Sequence, residues 1–293
     1  MKIIKKKEFF ILLLSLFILL SYFIGFYLNE NSAGAGTADG DFTLIWENLQ
    51  LYNNGILKNL DSPLYSDSRT PLAYILHVLF NPFIDSEYQF RVSVLFISLL
   101  CPIFFYLSLK KKYKNIDEYL AIFISSLILL SPYFRTSAYW GLGENYGILF
   151  LLISYLLFEK KRYLGKNLNL EQIINLFLLT FCSSLCVYFD HKLLIIPLFC
   201  FCSIVFNKNN NNHIKILLSL FYLIFSIPFL YLIYLWSGIL PPLPNTARYA
   251  GSEFYIFNIG YTATIIAFYL IPFLVFFQKK PLFFLFFSFF KIK

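Results

Sequence analysis

Charge is what this sequence has least of. Asp, Glu, Lys and Arg make up 14% of its 293 residues, whereas 59% are hydrophobic and 21% aromatic. Mean hydropathy is +0.67. A soluble domain of this length cannot hide so much apolar surface, because the buried fraction rises too slowly with size. A soluble globular class is therefore excluded. Several short motifs are missing too. There is no Walker A loop, HExxH, GxSxG or paired CxxC, so the nucleotide, zinc-protease and serine-hydrolase signatures are absent. Cysteine is sparse, with Cys101, Cys182, Cys186, Cys200 and Cys202 all inside apolar runs. They read as small apolar side chains. Cys182 and Cys186 are one helical turn apart, but no His or acid accompanies them on that turn to complete a metal site. No internal repeat is visible, and the Asn run 209–212 is a low-complexity loop.

What is present is a series of apolar runs separated by short polar turns. Residues 9–28, 90–109, 119–133, 146–158, 173–189, 193–206, 214–236 and 261–277 each read as a membrane span. The shorter ones suit positions surrounded by protein or a locally thinned bilayer. Run 282–290 is too short for a full span, and the chain stops after it at Lys291-Ile292-Lys293 as though a helix were cut off, which leads us to expect a truncated C-terminus. The first run is longer than a signal-peptide core of about 7–15 residues and reads as a retained anchor. Ala33-Gly34-Ala35 resembles a cleavage site and keeps the signal peptide as the alternative. Both readings place Asn29 onward outside the cytoplasm.

The expected fold is therefore all-α: one polytopic membrane domain over residues 1–293, with about eight or nine transmembrane helices. A large first outer loop, 29–89, carries two juxtamembrane helices. In the first of these, Phe42, Ile45, Leu49, Tyr52 and Ile56 recur at 3,4 spacing, with Glu47, Asn48, Gln50, Asn53 and Asn54 opposite. That is an amphipathic helix of the kind that lies on a membrane surface. The second is run 72–83, near 18 Å long at about 1.5 Å per residue and too short to cross.

The basic residues give orientation. Net charge is +8, which in a soluble protein would suggest nucleic acid. Here the Lys residues stand in short blocks between apolar runs, so the charge reflects topology and no nucleic-acid partner is expected. Sixteen of the 24 Lys and Arg fall on the N-terminal side of the membrane, in blocks such as Lys5-Lys6-Lys7 and Lys110-Lys111-Lys112. The opposite side holds only Lys58, Arg69, Arg91, Arg135, Lys192 and Arg248, despite its longer loops. The positive-inside rule then puts the N-terminus in the cytoplasm of a multi-pass protein of the cell's inner (plasma) membrane.

This orientation gathers unlike groups on the outer face. The first loop gives Asp39, Asp41, Glu47, Asp61, Asp67 and Arg69. Later turns add Arg135, Glu144, the triplet Asp190-His191-Lys192, and Arg248. Charges beside hydrocarbon are costly and mark sites, although any single one at a helix end can simply be solvated. A carboxylate there can take a proton from an acceptor hydroxyl. A Lys or Arg can hold a leaving phosphate. A second acid can hold a divalent ion or orient the acceptor.

These residues carry a resemblance. A basic start, one span, and a large outer loop with an early Asp and two juxtamembrane helices is similar to the GT-C superfamily of membrane glycosyltransferases. The nearer likeness is to the bacterial branch of lipid A aminoarabinose transferase and protein O-mannosyltransferases, the glycosyltransferase family 39-like group. Asp41, Glu47 and Gly55 match that branch's Asp, the acid six positions on and the Gly that closes the amphipathic helix. Tyr65-Ser-Asp-Ser-Arg-Thr-Pro71-Leu72 resembles its Tyr-x-x-x-x-Pro-Leu stretch, with one extra residue. Glu144 stands where the family often starts its fourth span with an acid, and Lys192, followed by Pro197, stands at its Lys-bearing corner before the sixth. Two departures are plain: Asp39-Gly40-Asp41 replaces the usual Asp-Glu pair, and the chain is short for the family.

The resemblance implies inverting transfer of a sugar from a polyprenyl-phosphate donor to a glycolipid, polysaccharide or protein outside the cytoplasm. It implies Asp41 as general base, Asp39 as runner-up, and Glu144 as the acid opposite. Lys192 would bind the donor phosphate, with Asp190 ion-paired to it, and His191, Arg69, Arg135 and Arg248 would complete the substrate-binding set. No definite cofactor is assigned, and metal dependence is left open. A divalent ion, Mg²⁺ or Mn²⁺, on Asp41 and Glu144 is the alternative. The competing functions are a transporter or flippase for lipid-linked sugars, and a non-catalytic, truncated relative. Asp41 directly precedes the amphipathic helix in this reading and could serve only as its cap.

Overall fold

The computed structural model describes residues 6–31, 38–160, 169–208, 210–239 and 241. Of these, 79% are helical and none lies in a strand, so the class is all-α. The elements are α1 (Lys6–Tyr27), α2 (Ala38–Asn53), α3 (Leu72–Phe80), α4 (Glu87–Ser98), α5 (Leu100–Lys112), α6 (Glu118–Ser126), α7 (Pro132–Tyr139), α8 (Glu144–Lys160), α9 (Leu170–Phe189), α10 (Ile195–Val205) and α11 (Asn212–Trp236).

The number of spans is smaller than expected. Four helices are long and apolar enough to cross a membrane: Lys6–Tyr27, the near-continuous pair Glu87–Lys112, Leu170–Phe189 and Asn212–Trp236. A fifth is reached only by joining Glu118–Leu130 to Pro132–Tyr139, which bend by 68°. That bend follows from the sequence. Pro132 lacks an N–H and holds Ser131 in an extended conformation, ψ 120°, so the helix stops and restarts. The Ser131 side chain caps the new helix by accepting from Phe134 N at 3.4 Å. α8 has only 17 residues and begins on buried Glu144 and Asn145. His191–Val205 is shorter still. The expected runs 261–277 and 282–290 lie outside the described residues. Eight or nine spans are thus corrected to four or five among the described ones.

α8 packs along both α5 and α9, α1 along α6, and α11 along α9. Lys112 Nζ and Glu159 Oε1, 2.6 Å apart, tie the C-terminal ends of α5 and α8. Glu144 opens the opposite end of α8, about 24 Å away along a 17-residue helix. α11 contains Pro228, which removes one backbone donor from the helix ladder. The Tyr188 hydroxyl bridges the neighbouring rung, donating to Phe225 O at 2.6 Å and accepting from Phe229 N at 3.0 Å.

The polar interval between α1 and α4 closes over the Glu144 end. In α2, Phe42, Ile45, Leu49 and Tyr52 are buried and Glu47 faces outward, as the spacing predicts, but Asn48, expected on the polar face, is buried; Asp39 and Asp41, expected before the helix, lie exposed in its first turn. Gly55 follows at φ +140°, a conformation other residues rarely adopt. The loop is then pinned to the helix ends. Trp236 Nε1 donates to Leu60 O at 2.8 Å, Thr70 Oγ1 donates to Tyr188 O at 2.5 Å, and Tyr52, Tyr65 and Tyr74 pack ring against ring. Gly141, φ +70°, lets the α7–α8 turn approach Phe90, whose Cε1 lies 2.6 Å from where a Cβ would stand.

Candidate functional site

Arg69 lies in the loop before α3, and its guanidinium forms an ion pair with Glu144 at the start of α8. The two are 75 residues apart in sequence. Asp67 adds a second carboxylate 3.8 Å from Arg69 Nη1, and its Oδ1 also accepts from the Arg69 backbone N–H at 3.0 Å. The other oxygen of Asp67 accepts from the Tyr74 hydroxyl at 2.6 Å. The Tyr65 hydroxyl donates to Arg69 O at 2.9 Å. Ser137 Oγ donates to Glu144 Oε2 at 3.4 Å, and the Tyr133 phenol lies beside Glu144, Asp190 and Arg69. Buried Asn48 on α2 fixes the loop from below, its amide exchanging hydrogen bonds of 3.1 Å with the Ser66 hydroxyl and backbone N–H.

The electrostatics follow from this packing. Burial alone disfavours a charged Arg69, but the carboxylates of Glu144 and Asp67 outweigh it and hold the guanidinium more tightly protonated than usual. Burial, and then the Asp67 charge, push the Tyr74 and Tyr65 phenols up, so both remain hydrogen-bond donors. His77, one turn after Tyr74 on α3, is lowered to about 4 by burial and is neutral at pH 7. Glu144 also sits at the N-terminus of α8, where a negative charge is favoured.

Two cavities meet here. A polar one of about 10 Å³ is lined by Asp67, Arg69, Thr70, Tyr74, Gly143 and others. An apolar one of about 750 Å³ lies between α3, α4 and α8. Ala73, His77, Tyr146 and Phe189 line both. Volumes of about 300–1,000 Å³ are usual for small-molecule sites.

The expected residues fall into three groups. Arg69 and Glu144 are joined, and Asp190 is buried near enough to act electrostatically on Arg69. Asp39, Asp41, His191 and Lys192 are exposed. Asp41 is the fourth residue of α2, so the expectation that it precedes and caps that helix is corrected: the helix starts earlier, and both Asp39 and Asp41 lie in its first turn. Asp39 Oδ1 accepts from Asn31 Nδ2 at 3.3 Å. The expected Asp190–Lys192 ion pair is absent. Asp190 Oδ1 instead accepts from the Lys192 backbone N–H at 3.0 Å and caps the turn His191–Leu194.

Arg135 belongs to neither place. It pairs with Glu30 at 2.5 Å and donates to Ser21 Oγ and Ser21 O, at 3.2 and 2.8 Å, tying α7 to α1. Gly25 leaves the room this contact needs, since a Cβ there would collide with the Arg135 guanidinium. Arg248 lies outside the described residues. Among the described residues no three His, Cys, Asp or Glu side chains come together as a metal site.

Tyr74, His77 and Tyr133 border this cluster and were not selected from the sequence; Asp67 was named among the first-loop acids and Asn48 on the polar face of α2, but neither was given a role. One signal was present: Asp67-x-Arg69 followed by Tyr74 and His77, whose i,i+3 spacing puts both on one face of α3. Compared with known proteins, the chain matches no family model, no curated protein and no solved structure.

Proposed function

We propose that the chain is a membrane glycosyltransferase that moves a sugar from a polyprenyl-phosphate donor to an acceptor hydroxyl on the extracytoplasmic face. One observation carries the reading. The long polar interval folds across the helix ends and there joins Arg69 to Glu144 and Asp67, with Asp190 close enough to act on it; Asp67 and Arg69 line a small polar cavity whose wall residues Ala73, His77, Tyr146 and Phe189 also line the apolar one. A site of that kind suits a charged head group attached to an apolar chain. The acceptor oxygen would attack the anomeric carbon as the carbon–oxygen bond to phosphate breaks, a single displacement with inversion. The acceptor's proton passes to a carboxylate and polyprenyl phosphate leaves.

Asp41 is the proposed base, exposed in the first turn of α2 and engaged in no ion pair among the described residues. Lys192 is the proposed phosphate ligand, exposed at the corner where Asp190 fixes its backbone. Glu144, held by Arg69, orients the acceptor. No step is routed through a metal, and the partners are lipids, with no nucleic acid. The N-terminus faces the cytoplasm of the inner membrane, on the strength of the basic blocks at 110–112 and 160–162.

The runner-up is a transporter for lipid-linked sugars, which the broken helix at Ser131 favours, since discontinuous helices often line transport sites. Incubating the purified chain in vesicles with a labelled polyprenyl-phosphate sugar separates the two. Transfer of label into a new lipid or polymer fraction supports the enzyme. Movement of unchanged donor between leaflets supports the transporter, and neither activity points to a non-catalytic relative. Sidedness is tested by single cysteines at 41 and 192 on a Cys-free background. Labelling that requires permeabilised membranes would overturn the orientation.

A further inference from the structure

The apolar cavity contains a hydrogen-bond chain whose direction can be worked out. Asn81 Oδ1 accepts from Phe83 N at 3.0 Å, which fixes the amide's orientation. Its Nδ2 then spends both hydrogens, one on Ser93 Oγ at 2.8 Å and one on His77 Nδ1 at 2.9 Å. Ser93 Oγ donates onward to Phe90 O at 2.6 Å. Because Nδ1 of His77 accepts, the proton of the neutral ring is assigned to Nε2. Nε2–H must donate to the Tyr146 hydroxyl, 2.7 Å away. The Tyr146 O–H proton is thereby left with no acceptor among the described residues. Tyr146 is 8% exposed and lies on the wall of the cavity. A buried donor left without an acceptor is destabilising, which a ligand acceptor would relieve.

The rest of the cavity says what that ligand is. Its lining contains no Lys, Arg, Asp or Glu, so nothing there would hold a charge. Phe80, Phe83 and Phe96 on its lining are 76%, 55% and 56% exposed. Phe96 lies on a helix long and apolar enough to cross a membrane, and with that helix in a bilayer the opening would face lipid hydrocarbon. A ligand hydroxyl would bring a second donor in need of an acceptor, whereas an ester carbonyl only accepts. We propose that this cavity takes one acyl chain of a membrane lipid, entering between Phe80, Phe83 and Phe96, with its ester carbonyl accepting from Tyr146 Oη. The site stands whether or not the chain transfers sugar.

The test uses the full chain in lipid nanodiscs and two photoactivatable C16 probes, one a methyl ester and one the matching alkane. Both should label α3 and α4 in the wild type. Val92→Trp, which fills the cavity, should abolish labelling by both, and ester labelling that persists would place the site elsewhere and overturn the proposal. Tyr146→Phe should weaken ester capture about tenfold, as loss of one hydrogen bond of about 1.4 kcal/mol predicts, and leave alkane capture unchanged. Loss of both probes, or of neither, in Tyr146→Phe would contradict the role of the hydroxyl. An ester labelled with ¹³C at the carbonyl provides a readout that needs no variant: its infrared stretch should move to lower frequency when bound to the wild type, and an unshifted band would also overturn the assignment.

Discussion

Arg69 and Arg135 look alike in the sequence. Each stands in a polar turn beside apolar helices, and each was a candidate for binding substrate. The structure gives them different work. Arg135, 12% exposed, is used up between neighbours, paired with Glu30 and bonded to Ser21 so that α7 is fastened to α1. Arg69, 22% exposed, joins the loop between α2 and α3 to Glu144 on a distant helix and borders a small cavity. The contrast shows that charges alike in the sequence can be packed differently: Arg135 is enclosed by its partners, whereas Arg69 borders a small polar cavity of about 10 Å³ that shares wall residues with the apolar one. Around Arg135 the room is taken up, to the point that Gly25 must lack a side chain.

The largest expected effect tests the Arg69 side. Arg69→Ala leaves Glu144, 6% exposed, as a buried charge without its cation, and should cost about 3–5 kcal/mol of stability. Adding Glu144→Gln should recover much of that loss. Thermal unfolding in detergent measures both, and a double variant no better than the single would show that the pair is not the unit described here.

A pH effect of about 3 kcal/mol belongs to the same side. Above pH 6.5 His77 is neutral in both folded and unfolded chains and contributes no slope. From pH 6.5 down to 4 the unfolded chain takes up a proton that the buried ring refuses, so stability falls as pH falls, and it levels off below that. Carboxylates titrate over part of this window, so the readout is the difference between wild type and His77→Phe. Equal slopes would contradict the burial argument.

Arg135→Ala should cost less, about 2 kcal/mol, because Glu30 is 29% exposed and water can take over its hydrogen bonds. If the remaining fold turns over donor normally, the comparison stands. If turnover disappears while Arg69→Lys keeps it, the two roles are reversed. The smallest effect is on Lys192: Lys192→Ala should raise the KM for donor about tenfold with kcat little changed, and Lys161→Ala should do nothing. An equal KM in the two variants would remove Lys192 from the site.

Much of the fold was legible because it is local. The 3,4 spacing of Phe42, Ile45, Leu49 and Tyr52 marked α2, and Pro71 and Asn81 bounded α3. The runs 173–189 and 214–236 lie within α9 and α11. The bend at Ser131 was missed although Pro132 announces it, because hydropathy averages across a single proline. The start of α2 was placed late because Asp41 reads as a cap, and nothing apolar marks the earlier turn. The site was only half visible. Glu144, Arg69 and Asp190 were expected on one face, but a pairing across 75 residues has no periodic signature. His77 was lost inside an apolar run, where its hydrogen bond to Tyr146 cannot be read.

The central claim is that a carboxylate in the first turn of α2 takes a proton during sugar transfer. Turnover of labelled polyprenyl-phosphate sugar by wild type, Asp41→Asn and Asp39→Asn tests it most directly, because Asn keeps the shape of Asp but cannot accept the proton. The prediction is that all three fold alike and that Asp41→Asn slows transfer by about 10² or more. Loss in Asp39→Asn alone would move the base by two residues within the same turn, and unchanged turnover in both variants would contradict the proposed mechanism.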